Sequence, residues 1–459
     1  MTAPCAEPRA RGSGARDVRV VVVGSGLAGL TAACDLADAG YAVTVLEARS
    51  RLGGATFSFQ RDGLTVDNGQ HVTLRCCTAY RALLERLGSA DGLDMQDRFH
   101  VPVLAPGGRR TELSRTDARA PLHLAPAIAR YSALRPLDRL RVFRAALALR
   151  SLDPQDPSLD DHSFADWLTR HGQNEATLDR LWNLVTVAAL NGDVADVSLA
   201  SAAMVFRTAL LESTDGADIG IPRWPLDDLH VRPAEKYLLE RHGQVRTHSA
   251  VRGITPVRGR FLVRMDDEVL DADAVVLAVP PDTATRVAPG RAGLDRAGLA
   301  RLGAVPIVNV HVVYERPVTD LGFAAAVSSP VQWIFDRTDA AGLTSGQYLT
   351  VSLSAADVWL TTPASALRDV FLAELGRFFP GAATTPCTRF FVTRQRRATF
   401  RQGPGSNRVR ADQRTALPGL VLAGSWTATG WPDTMEGAVR SGHRAAELVA
   451  THLAGGVSR

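Results

Sequence analysis

Lysine is all but missing from this sequence: Lys236 is the only one in 459 residues, and arginine carries the rest of the positive side-chain charge. Cysteine is scarce as well. Cys5, Cys34, Cys76, Cys77 and Cys387 are too few and too scattered for a disulfide framework, and no pair has C-x-x-C spacing, so a reducing, cytoplasmic setting is expected. The adjacent Cys76 and Cys77 read as a buried thiol pair, because neighbouring cysteines make a strained shared site. The eleven histidines lack metal-ligand spacing, which leaves no metal to expect. The charge-free stretch Val20–Cys34 contains three glycines and has no basic leader or cleavage site, so it reads as neither a signal peptide nor a membrane span. A formal net charge of only +4 argues against nucleic acid as the main partner.

What is present is an ordinary globular composition, 46% hydrophobic and 22% charged, in a chain long enough for two domains. Residues 1–16, small and polar, read as a disordered leader. The β-branched run Val18–Val23 ends in Gly24, Leu27–Ala39 reads as a helix closed by Gly40, and Ala42–Leu46 is a second strand. Strands follow at Val245–Ile254, Phe261–Met265 and Asp273–Val279, then at Gly419–Ala423 before a helix from about Thr434 to Ala454. Ala120–Thr214 has helical spacing, whereas Ala304–Tyr314, Val331–Phe335 and Tyr348–Ser354 alternate like strands. The expected fold class is α/β. A discontinuous Rossmann-like dinucleotide-binding domain would take residues 17–90, 230–285 and 405–459, and a mixed α+β substrate-binding domain residues 91–229 and 286–404.

Gly24-Ser25-Gly26-Leu27-Ala28-Gly29 fits G-x-G-x-x-G, in which Gly24 makes the tight turn, Gly26 lets backbone approach a pyrophosphate and Gly29 packs helix on strand. Context makes the match specific: the motif follows four valines, opens a helix, and is followed by Glu47 at the end of the next strand, where a carboxylate accepts from a ribose diol.

Glu47 suits more than one dinucleotide, and longer motifs choose between them. The stretch Leu46-Glu47-Ala48-Arg49-Ser50-Arg51-Leu52-Gly53-Gly54 resembles the extension of the dinucleotide fold in FAD-dependent amine oxidases and carotenoid desaturases, and the segment from Gly424 to Gly442 resembles their second FAD signature. Asp67-Asn68-Gly69-Gln70-His71-Val72, Leu181-Trp182 with Ala188 to Asn191, Val331 to Arg337, Arg397 to Phe400 and Thr429-Gly430-Trp431-Pro432 narrow the likeness, from about residue 18 to 450, to the hydroxysqualene dehydroxylases. That resemblance implies FAD, held non-covalently because the C-terminal loop has no cysteine. It implies that Arg49, Gly53 and Gly54 approach the diphosphate, Val251 the adenine, Gly69 the isoalloxazine, and Ser425 the ribityl or phosphate region. Thr434 and Met435, at a helix N-terminus, would face the flavin pyrimidine. Ala55 and Ser425 depart from the family, which usually has an arginine and an acid there.

The implied reaction is reduction of the long isoprenoid 12-hydroxysqualene to squalene and water in hopanoid or triterpenoid biosynthesis, with an external reductant reloading the flavin. Carotenoid-type desaturation or saturation of a polyene, and a non-catalytic prenyl-lipid escort on the same fold, stay open. Amine oxidation is disfavoured, because Lys236 does not lie on the strand where amine oxidases keep theirs. Loss of an allylic hydroxyl needs help for the leaving oxygen, for which His71 is the first candidate, beside Gln70; a histidine there equally serves to hydrogen-bond backbone or flavin. Asp433 is a weaker acid candidate, since a carboxylate before a helix is commonly an N-cap. Trp182, Trp333, Phe335 and Trp431 would line a pocket or form plain core, and Asn191 would contact substrate or end a helix.

Charge is uneven along the chain. Between Arg109 and Arg150 stand ten arginines against Glu112, Asp117 and Asp138. With Leu137, Leu140, Phe143 and Leu147 among them, this part of the helical stretch 115–215 reads either as a peripheral contact with the inner face of a membrane or as a solvated surface over a buried stripe.

Overall fold

The four valines that close the first strand are almost wholly buried on both faces, the pattern of a parallel strand covered on either side. The computed structural model describes residues 18–456, so the expected leader 1–16 lies outside the described residues. Arg19–Val23 sits at the centre of a five-stranded, all-parallel sheet in the order Gln244–Arg246, Ala42–Leu46, Arg19–Val23, Ala274–Leu277, Leu420–Leu422. Strand order reverses beside Arg19–Val23, the switch point at which doubly wound sheets bind their ligands. Helices Leu27–Asp38 and Met435–Gly456 cover one face through Val20, Val22, Leu30, Ala445 and Val449. The other face buries Val21, Val23 and Val275 against a three-stranded antiparallel sheet of Gly253–Val257, Arg260–Arg264 and Val269–Ala272. The single strand expected over Val245–Ile254 is therefore two strands in different sheets. A turn with His248 at φ 53° separates them and lets the chain leave the parallel sheet.

A second, seven-stranded sheet runs in the order Cys387–Thr399, Val305–Tyr314, Gln347–Leu353, Trp333–Asp336, Phe323–Ala326, His100–Ala105, Arg109–Ser114. All its pairs are antiparallel except Phe323–Ala326 with His100–Ala105. Helix Ala364–Phe378 packs Leu367, Phe371 and Leu375 on it, and the helices between Ala125 and Leu211 build a separate core around Phe164, Trp182 and Phe206. A hairpin, Ser58–Arg61 with Leu64–Asp67, leaves the parallel sheet and ends at the motif that begins with Asp67.

Two histidines are wholly buried within this framework. His230 meets Thr56 Oγ1 at 2.9 Å and Tyr80 OH at 3.2 Å, and His311 meets Tyr348 OH at 2.6 Å and Thr393 Oγ1 at 3.0 Å. Burial holds both imidazoles at a pKa of about 3. An unfolded chain takes up these protons near pH ~6.5, so between there and ~3 the unfolded state binds more protons and folding stability falls as pH falls. Going from neutral pH to about pH 5.5 should cost about 1.3 kcal/mol for each histidine. Urea unfolding at the two pH values, with His230→Gln and His311→Gln each flattening the dependence, checks this; a parent protein equally stable at both values contradicts it.

Candidate functional site

The tight turn after the first strand requires glycine at Gly24, where φ is 103° and an added Cβ would lie 2.2 Å from Ala278 O. A Cβ on Gly29 would lie 2.0 Å from Gly24 O, so helix and turn touch backbone to backbone. Helix Leu27–Asp38 starts at Gly26 with no side-chain cap and no acid in its first turn. Its leading amides thus point from the switch point unsatisfied, a ready anion seat. Gly53 and Gly54 fold back over it: Gly26 bridges Gly53, and a Cβ on Gly54 would come within 2.7 Å of Gly26 Cα.

Glu47 is buried, its Oε2 accepting from Ser25 N at 3.1 Å and Ser25 Oγ at 2.6 Å and its Oε1 from Arg49 N at 2.9 Å. The loop that carries Val251 is pinned beside it, with His248 N donating to Arg49 O and Ser249 N to Glu47 O. Arg49 itself is exposed. The neighbouring Arg51 is the cation with an unmet need: its guanidinium lies 3.1 Å from the centroid of Phe57, and Nη1, shielded from solvent, has no partner among the described residues. Burial, then the charge of Arg49, lowers the Arg51 pKa, while Glu47 and Asp227 pull the other way. These features fit a dinucleotide whose diphosphate sits over the helix end and whose ribose meets Glu47.

The C-terminal segment is held by groups that periodicity and motif spacing do not single out. Arg410, buried to a pKa of about 10, donates to Thr427 O from Nε at 3.0 Å, to Ser425 O from Nη2 at 2.8 Å and to Thr429 Oγ1 at 3.0 Å. Glu436, 1% exposed, accepts from the Ala79 and Tyr80 amides and from Arg440 Nε, so it caps helix Thr78–Leu87. Thr434 Oγ1 accepts from Gly437 N, and no protein acceptor among the described residues takes the amides of Thr434 and Met435. Asp433 is not the N-cap. Its oxygens bind Ser425 Oγ and the Phe400 amide, bracing the loop against the end of the long strand, and burial raises its pKa against these contacts and Arg410. Ser425, expected at the cofactor, spends its hydroxyl on that contact.

The segment from Asp67 to Val72 is fixed by a buried ion pair. Asp67 Oδ2 accepts from Arg337 Nη2 at 3.0 Å, and Oδ1 accepts from Ser58 Oγ at 2.7 Å and Leu226 N at 3.0 Å, while Arg337 Nη1 reaches Pro222 O. Asn68 bonds Ala55 O and the Phe57 amide. Gln70, His71 and Val72 thereby line one narrow cleft, with no room for a water molecule, together with Phe335 and Arg337. His71 Nε2 is shielded and has no partner among the described residues; it lies 3.2 Å from where a Cβ of Gly69 would stand. Burial holds the His71 pKa below its ordinary value, with Asp67 raising it and Arg337 lowering it further.

Phe335, Trp333 and Phe323 stack along one face of the seven-stranded sheet, centroids 6.3–6.4 Å apart, and continue from this cleft. Trp431 lies under Arg440 at 4.5 Å. Two expected pocket residues are elsewhere. Trp182 is core, packed on Phe164 and Phe206 with its indole N–H on Gln173 Oε1. Asn191 ends helix Asn183–Leu190 in the left-handed region and spends its amide on Val305 O, Thr399 Oγ1 and the Ala355 N–H, on the wall of a separate polar cavity of about 210 Å3. Lys236 is exposed beside Glu240 on helix Arg232–Glu240.

Comparison with known proteins agrees with this geometry. The family model for flavin containing amine oxidoreductases matches residues 27–450. The chain is 31% identical to a hydroxysqualene dehydroxylase of Rhodopseudomonas palustris, over 94% of this chain and 98% of that one. It is 27% identical to a zeta-carotene desaturase of Zea mays, over 94% and 83%. A solved putrescine oxidase shares the fold at 22% identity, with a TM-score of 0.72 and coverage of 95% and 99%. With its glycine cradle, buried Glu47 and open helix ends, the chain belongs to the flavin-containing amine oxidoreductase family and is an FAD-dependent oxidoreductase.

Proposed function

We propose that the enzyme reductively removes the allylic hydroxyl of 12-hydroxysqualene, giving squalene and water. The C–O bond breaks, a proton leaves with the hydroxyl as water, and a hydride forms the new C–H bond. Bound FAD in its reduced state supplies that hydride. The observation that carries the reading is the unpartnered His71 Nε2, beside Gly69, on a residue that lines a narrow cleft with Phe335 and follows the buried Asp67–Arg337 pair. His71 holds the proton for the leaving oxygen, Arg337 and Asp67 orient the segment that bears it, and the stacked Phe335, Trp333 and Phe323 offer π faces to positive charge on the allyl group. Hydroxysqualene dehydroxylases of Rhodopseudomonas palustris and Sinorhizobium fredii, similar over nearly their whole length, support it. So does the only lysine, exposed beside Glu240 on helix Arg232–Glu240, which removes one device of amine oxidases.

Desaturation of a polyene is the second reading, favoured by the similarity to zeta-carotene desaturases. A non-catalytic lipid escort has less support, because the glycine cradle and free helix-end amides of a cofactor site are intact. The direction of electron flow separates the two enzymes. Anaerobically reduced protein mixed with 12-hydroxysqualene should regain its oxidised-flavin absorbance with one squalene formed per flavin. No reoxidation, together with bleaching of the oxidised protein by a polyene, would replace the proposal by the desaturase.

His71→Ala should keep FAD and lose about 100-fold or more in turnover. The lowered pKa sets the sign of the pH dependence: the protonated share of His71 falls tenfold per unit above it, so the parent rate should climb as pH is lowered below neutral. The variant's profile should be flat; a variant as fast as the parent would remove His71 from the chemistry.

A further inference from the structure

Helix Pro136–Arg150 carries leucine on both faces. Asp138, Val142, Ala145 and Leu149 are buried against the helical core, while Leu137, Leu140 and Leu147 stand 60%, 56% and 43% exposed. Spacings of three and seven residues put these three on one stripe, with Arg144 between them. Leu122, 56% exposed, lies on the turn that packs against helix Ala125–Arg130, which in turn packs on Pro136–Arg150.

The charges around this stripe are unbalanced in a way the totals conceal. Two of the three acids of the segment are already engaged: Asp117 binds Arg98 at 2.8 Å and Arg115 at 3.3 Å, and Asp138 accepts from Arg141 at 3.0 Å and Asn174 at 2.8 Å, which leaves Glu112, 3.8 Å from His100, as the one acid without an arginine. Arg130, Arg135, Arg144 and Arg150 are exposed, and none has an acidic partner among the described residues. The same holds for Arg109, Arg110 and Arg119 on the neighbouring strand and turn. Bare guanidinium groups beside bare leucines match a surface that offers phosphates above an apolar layer.

We infer that this face seats on an anionic lipid bilayer, its leucines entering the acyl boundary and its arginines holding lipid phosphates. No helix among the described residues is long and apolar enough to cross a membrane, so the contact lies in the plane of the surface. A second copy of the chain is a poor occupant, because pairing this face with itself would set arginine against arginine. Membrane seating of this face is independent of which substrate the enzyme reduces or oxidises.

The test is flotation of the full-length, FAD-loaded protein with phosphatidylcholine vesicles, with and without phosphatidylglycerol, at low and high salt. Binding should require phosphatidylglycerol and weaken with salt. Each of Arg130→Gln, Arg135→Gln, Arg144→Gln and Arg150→Gln should lower the partition coefficient about fivefold. The triple variant Leu137→Ser, Leu140→Ser, Leu147→Ser should stay in solution while keeping the parent's FAD content and its activity in detergent, which separates lost docking from lost folding. Equal binding to neutral vesicles, or variants that float like the parent, would overturn the inference. So would a dimer that the leucine variant dissolves without any vesicle binding by the parent.

Discussion

The ion pair between Asp67 and Arg337 joins two parts of the chain 270 residues apart, and both side chains are nearly inaccessible, at 6% and 7%. Such a pair is tolerable only when the remaining hydrogen-bonding capacity is met, since desolvating either charge alone costs several kcal/mol. Here Ser58, the Leu226 amide and Pro222 O meet it. The hairpin Ser58–Arg61 with Leu64–Asp67, the strand Ile219–Pro222 and the seven-stranded sheet therefore converge on one ion pair, the first through Asp67 and the other two through Arg337. Gly69, Gln70 and His71, next along the chain, inherit their positions from that convergence.

The carboxylates around the cofactor site each brace the protein around it. Glu47 holds the glycine turn, Glu436 caps a neighbouring helix and Asp433 braces a loop to a strand. Each takes up amides or hydroxyls of the protein, while the leading amides of helix Leu27–Asp38 and those of Thr434 and Met435 are left without protein acceptors among the described residues. The division has a physical logic. Donors without acceptors suit an electron-rich cofactor, and a satisfied carboxylate does not compete with it for those donors. Among the groups lining the narrow cleft, His71 is left as the one with a shielded nitrogen and no partner.

The local half of this arrangement was legible in the sequence. Four valines, a spaced run of glycines and Glu47 form a contiguous signal, and the sheet built on them agrees with it, from the first strand to Leu420–Leu422. The β-strand Cys387–Thr399 was not legible: it is an edge strand, half-exposed and studded with arginines, so it lacks the alternation that marks a strand. Nor does periodicity reveal that Arg337 belongs to Asp67, or that Arg410 threads the C-terminal loop, because both are contacts between distant segments. Arg51 illustrates the finer limit. It stands two residues from Arg49, and only burial distinguishes the guanidinium with an unmet nitrogen from the one in solvent. Trp182 and Asn191 went the other way, since a tryptophan in a packed core and one on a pocket wall look alike in a sequence.

A double-mutant cycle on Asp67→Asn and Arg337→Met, read by urea unfolding and by FAD titration, tests most directly whether this pair organises the site. Either single variant should lose about 3–5 kcal/mol, because it strands a buried charge or its partners, and the double variant should lose clearly less than the sum. All three should bind FAD more weakly than the parent. Losses that add to within about 0.5 kcal/mol, with FAD affinity unchanged, would mean that the two residues act separately and that the segment bearing His71 is held by something else.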